Sequence, residues 1–155
     1  MNTEMEPAAK TPWHVWVMGL VGLLWHGGGG GSNYISVKTA TPEFYQQQAD
    51  ALGTSAEIVT TYMESYPLWA NIAYGVAVWG AVLGSLLLLF RNRYAVLCFA
   101  LSLVAYLVNV VHQLVRPIEG VEAMGFYWGF SAFIGVTIAA FWFYAKKMRD
   151  AGVLR

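Results

Sequence analysis

Three stretches of this chain carry apolar side chains and no Asp, Glu, Lys or Arg: Leu68 to Phe90, Tyr94 to Val115 and Ala123 to Ala145. Coiled as helices, each is long enough to cross a hydrocarbon core about 30 Å thick. A fourth apolar stretch, Trp13 to Trp25, would rise only roughly 20 Å and stops short. It runs directly into His26 and five consecutive glycines, Gly27 to Gly31. Counted on through Ile35 the same helix reaches roughly 34 Å, so the pattern predicts a fourth span over 13–35 if the glycine run stays at membrane depth.

In water five glycines oppose a helix by roughly 1 kcal/mol each relative to alanine. Lipid reverses the balance, because every backbone N–H and C=O left unpaired there costs several kcal/mol. The glycine run is therefore expected to be helical. A cleaved signal peptide is the rival reading of this segment, but only Lys10 precedes the apolar stretch and no Ala-x-Ala site follows it. An uncleaved helix is the expectation.

Between the first two spans the segment 36–67 is too polar to enter a bilayer, and it carries helix punctuation. Thr41 caps, Pro42 takes the first helical position, Glu43 sits in the first turn and Gly53 stops the first of two short helices. Ser55 caps the second, whose apolar stripe is Ile58, Val59, Tyr62, Met63 and Tyr66. The expected fold class is thus all-α integral membrane: four transmembrane helices in a single domain over 1–155, with one or two short amphipathic helices in the outer loop between spans one and two. The spans cover about 13–35, 68–90, 94–115 and 123–145.

Composition agrees. Of 155 residues, 57% are hydrophobic and 12% charged, and the mean hydropathy is +0.49; a water-soluble domain of this size needs more polar cover. Net charge is zero and no basic cluster stands in an aromatic setting, so nucleic acid is not an expected partner. The single cysteine, Cys98, rules out an internal disulfide and a cysteine-based metal framework. Basic residues divide unevenly across the four spans. Lys10, Arg91, Arg93, Lys146, Lys147, Arg149 and Arg155 fall on one side, Lys38 and Arg116 on the other. Positive residues favour the cytoplasm, which predicts both termini inside.

Small residues four apart let membrane helices approach closely, and Gly27/Gly31, Gly80/Gly84 and Gly125/Gly129 are the candidate packing pairs. Ser102, Tyr106, Asn109 and Gln113 form one polar stripe on the third span, with His112 at its edge. On the expected topology His26, Asn33, Asn71, Asn109, His112 and Gln113 all lie toward the outer end, where they could meet in a polar pocket. Hydrogen-bond glue between spans is the commoner role for such residues. Paired axial ligation of a haem by His26 and His112 is a third reading, without a c-type attachment motif to support it. The aromatic surface of the fourth span suits packing and lipid contact before a pigment or quinone.

No nucleophile elbow, zinc-protease helix, phosphate loop or intramembrane carboxylate pair is present, so no enzyme is expected and no cofactor or metal is implied. A run ending in Ser32 without the Lys-Ser/Thr of a phosphate loop does not make one. The central part of every span also lacks Asp, Glu, Lys and Arg, which counts against a proton-driven pump and leaves only the histidines as ionisable groups there.

"GLLWH" at 22–26, "NY" at 33–34, "GVAVWGAVLGSLLLLFR" at 75–91 and the closing "GVLR" resemble a family of short bacterial inner-membrane proteins of unassigned role, some of which carry an automatic sugar-transporter label. Relatives often have Trp-Asn and Asp-Tyr where this chain has Trp25-His26 and Asn33-Tyr34. The resemblance implies four spans in the bacterial inner membrane. Together these readings predict a non-catalytic accessory or oligomeric component of a membrane assembly, partnered by the lipid bilayer and by copies of itself or other membrane subunits. A small-solute, sugar-like transporter with an outward-facing polar pocket is the alternative, and a haem or quinone binder the third.

Overall fold

A computed structural model describes residues 11–155; Lys10, which contributes to the charge asymmetry, lies outside the described residues. The described chain is all helical. Helix α1 (Trp13–Gly22) leads into a π-helical segment (Leu23–Gly31) and then α2 (Ser32–Lys38). After it come α3 (Pro42–Leu52), α4 (Ala56–Glu64), α5 (Leu68–Leu89), α6 (Ala95–Val115) and α7 (Met124–Asp150). Among the described residues three helices, α5, α6 and α7, are long and apolar enough to cross a membrane. They are compatible with an integral membrane protein, as is their sheath of exposed apolar side chains, including Leu68, Val104, Leu114 and Phe143.

The glycine run is helical, but in a different register from the expected one. Gly22, Leu23, Gly31 and Ser32 all hold right-handed helical angles, so the coil passes from α1 to α2 without a break. Within it the hydrogen bonds reach one residue further, and the Ser32 N–H meets the carbonyl of Gly27. The Ser32 hydroxyl also donates back to Gly28 and, at 3.2 Å, to Gly29. Glycine makes the wider coil tolerable because no side chains need to pack between its turns.

Local signals set the limits of the short helices. The Thr41 side chain accepts from Phe44 N at 3.4 Å and that of Ser55 from Ile58 N at 3.3 Å. Gly53 ends α3 in the left-handed region at φ 66°. Helices α3 and α4 bury Ala49 and Val59 together with Ile118 of the α6–α7 connection, and Ala123 N bonds to Leu52 O at 3.2 Å.

At the opposite end Val15, Leu88, Phe99, Phe141, Ala145 and Met148 form the main core, which Val153 and Leu154 of the tail complete. The tail doubles back on the α5–α6 turn: Arg155 N donates to Arg91 O at 2.8 Å and Arg93 N to Arg155 O at 2.9 Å. Arg91 holds φ 56° there, the left-handed conformation, in which its guanidinium Nε donates to Val153 O at 3.4 Å.

Glycine packing departs from the expected pairs. Gly80 and Gly84 do lie against α6: an added Cβ would stand 3.1 Å from Ser102 Cβ and 3.0 Å from the Phe99 ring. Gly31 has only ordinary contact with Trp79, while at Gly27, Gly125 and Gly129 an added Cβ would meet nothing within 4 Å. The tight approaches lie elsewhere. At Gly22 a Cβ would stand 2.6 Å from Ser85 Oγ and 2.8 Å from Phe141, and at Gly135 it would stand 2.9 Å from Tyr106. A spacing of four identifies a smooth face but not what stands opposite it.

Candidate binding cavity

Four helical paths enclose a cavity of about 390 Å³. The first contributes Trp25, His26, Gly29, Gly30 and Asn33; α5 contributes Tyr74, Ala77, Val78 and Ala81. Tyr106, Asn109, Val110 and Gln113 enter from α6, and Tyr127, Phe130, Ser131, Ile134 and Ile138 from α7. This volume is in the range of small-molecule pockets, and the mix of apolar walls with a few convergent polar groups is typical of them.

Its polar groups are ordered by three pairings of a tyrosine with an amide. The hydroxyl of Tyr74 donates to Asn33 Oδ1 at 2.9 Å, that of Tyr127 to Gln113 Oε1 at 2.8 Å and that of Tyr66 to Asn109 Oδ1 at 3.0 Å. The orientation of Asn109 is fixed from its other end, since its Nδ2 donates to Ala105 O at 3.1 Å. Each amide oxygen accepts one such bond and keeps a second lone pair, and each amide nitrogen still has an N–H to offer. Tyr66 belongs to the segment after α4, where burial pushes its hydroxyl above the ordinary phenol range while the Gln113 amide acts the other way. One turn earlier, burial and the neighbouring Tyr66 raise Tyr62 to about 12.

His26 sits in the π segment, 5% exposed, with its ring against Phe99 and Phe141. Its Nδ1 lies 3.0 Å from Ser85 Oγ, and the Ser85 hydroxyl donates to Ala81 O at 2.9 Å. Having given away its one proton, that hydroxyl must accept from His26, so the neutral ring carries its proton on Nδ1 and keeps a lone pair on Nε2. Among the described residues Nε2 has no hydrogen-bond partner.

Of the six polar residues expected to meet, His26, Asn33, Asn109 and Gln113 line this cavity. Asn71 stands outside it, accepting from Lys38 Nζ at 2.7 Å and donating to Tyr66 O at 3.0 Å. His112 also stands outside, wedged edge-on between Tyr66 and Trp69. The two histidines thus do not bracket the cavity as axial ligands would. Among the described residues no group of three His, Cys, Asp or Glu side chains gathers to hold a metal ion. Sequence reasoning missed Tyr74, Tyr127, Ser131 and Ser85. Ser85 alone carried a local signal, as a polar residue four positions after Ala81 inside an apolar run. Comparison with protein-family models, curated proteins and solved structures found no match.

Proposed function

We propose that this chain is a four-crossing membrane protein that binds a small molecule inside its helix bundle and does no chemistry on it. The observation that carries the reading is the cavity itself, in which the side-chain amides of Asn33, Asn109 and Gln113 and the hydroxyl-bearing side chains of Tyr74, Tyr106, Tyr127 and Ser131 stand among apolar walls. The unbroken helical path Trp13–Lys38 supports the first crossing, since its length exceeds the roughly 20 residues that a span requires. The loose motif likeness adds the family of short bacterial inner-membrane proteins, and with it the inner membrane, to the same proposal. So does the charge pattern, with both termini on the cytoplasmic side.

Gentle extraction from the native membrane followed by mass measurement tests this. The expected result is the chain with a small-molecule adduct that is lost in Asn109→Leu. A second reading, the accessory or oligomeric component, is favoured by the open faces at Gly125 and Gly129, which another helix would cover. That reading predicts partner chains in fixed ratio and no adduct, and such a result would displace the first.

A further inference from the structure

The exposure of the lining residues locates the mouth of the cavity. On α5 and α6 every lining residue is buried or half-buried, whereas Gly29 and Asn33 on the first helical path and Phe130 on α7 are exposed. These two helices meet through His14 Nδ1 and the Tyr144 hydroxyl, through Trp25 Nε1 donating to Thr137 Oγ1 at 3.2 Å, and through the edge-to-face contact of Trp25 with Phe133. Beyond Trp25 they part. A Cβ added at Gly28 or Gly29 meets nothing within 4 Å. The opening is therefore sideways, between the first helical path and α7.

Depth decides what that opening faces. On the four-crossing reading, which this inference rests on, Gly29 lies six residues inside Ile35 and Phe130 seven inside Ala123, about 9 to 10 Å from the outer ends of their spans. A gap at that level faces lipid tails and not water. The water-side route is narrowed by the Tyr66 hydroxyl, which reaches the cavity wall at Asn109.

The lining also selects by charge. Among the described residues no Asp, Glu, Lys or Arg lines the cavity, so a carboxylate, phosphate or ammonium would be desolvated there without a counter-charge. The three amides keep N–H donors that acceptor oxygens can satisfy, and the second lone pair of each amide oxygen can accept from a hydroxyl. We propose that the cavity takes the head of a neutral, lipid-soluble amphiphile bearing ester or ketone carbonyls and a hydroxyl, which enters from the bilayer between the first helical path and α7.

The test uses the full chain in lipid nanodiscs, with monoolein, oleate in alkaline buffer, and glucose as probes, read by native mass measurement. Monoolein is expected to be retained at one molecule per chain, and oleate to bind at least about tenfold more weakly, the scale of an unpaired buried charge or lost charge-dipole partner. Gly29→Leu places a side chain in the open mouth without displacing a neighbour, and is expected to weaken monoolein by a similar factor. Asn109→Leu should do the same by removing a donor; if it does not fold, Gly29→Leu still decides. Equal retention by the parent chain and Gly29→Leu would mean peripheral lipid only and overturn the proposal. Binding of glucose but not monoolein would overturn it while leaving the cavity a binding site. Binding of neither probe, with no native adduct, would remove the cavity reading as well.

Discussion

The phenol of Tyr66 and the amide of Asn109 lie 43 positions apart in sequence and 3.0 Å apart in space, hydroxyl to Oδ1. This bond joins the polar segment ahead of α5 to the wall of the cavity, and it sets the orientation in which Asn109 presents its remaining N–H.

Tyr66→Phe removes that bond without removing the ring. The expected loss of stability is about 1 kcal/mol, the net value of one partly buried hydrogen bond. Denaturant titration of the detergent-solubilised protein measures it. No change would show that the pair does not hold the segment.

Alkaline pH should loosen the same region. Tyr62 titrates near 10 when unfolded and at about 12 when folded, because burial disfavours its phenolate. A raised folded value means that the contribution is complete below pH 10 and is lost as pH climbs toward 12. Helical circular dichroism followed through that window should fall more shallowly in Tyr62→Phe than in the parent chain.

Two glycines in one helical path should respond in opposite directions. Gly22→Ala forces a methyl onto Ser85 and Phe141, and is expected to destabilise by about 1–3 kcal/mol, the usual cost of overpacking. Gly27→Ala meets open space and should stabilise by up to about 1 kcal/mol through helix propensity. Unfolding of both variants under one condition decides it; equal losses would mean that the two glycines sit in similar surroundings.

Sidedness is open to impermeant thiol labelling in a Cys98→Ala background. Four crossings predict that Glu57→Cys and Glu119→Cys label from outside intact cells, and that Thr11→Cys and Asn92→Cys do not. Labelling of Thr11→Cys from outside would remove the first crossing.

The cavity shows where reading the chain works and where it stops. Ser102 and Asn109 belong to a stripe visible in the sequence, and both are buried on the inner face of α6. Gln113 of the same stripe lines the cavity, whereas His112, one residue earlier, is buried against Tyr66 and Trp69 and outside it. One residue around a helix turns a side chain by about 100 degrees, enough to move it from one wall to another. Which wall matters depends on the partner helix, and the stripe carries no information about that.

What the sequence by itself determined are the properties of each segment: apolar length, capping at Thr41 and Ser55, the stop at Gly53, and the helical course of the glycine run. These follow from local backbone chemistry and from transfer out of water, which act within a few residues. Tertiary structure alone decided the tyrosine chosen by each amide, the close approaches at Gly22 and Gly135, and the gap beside α7. Each of these depends on the distance between segments far apart in the chain, and that distance is set only when the helices pack.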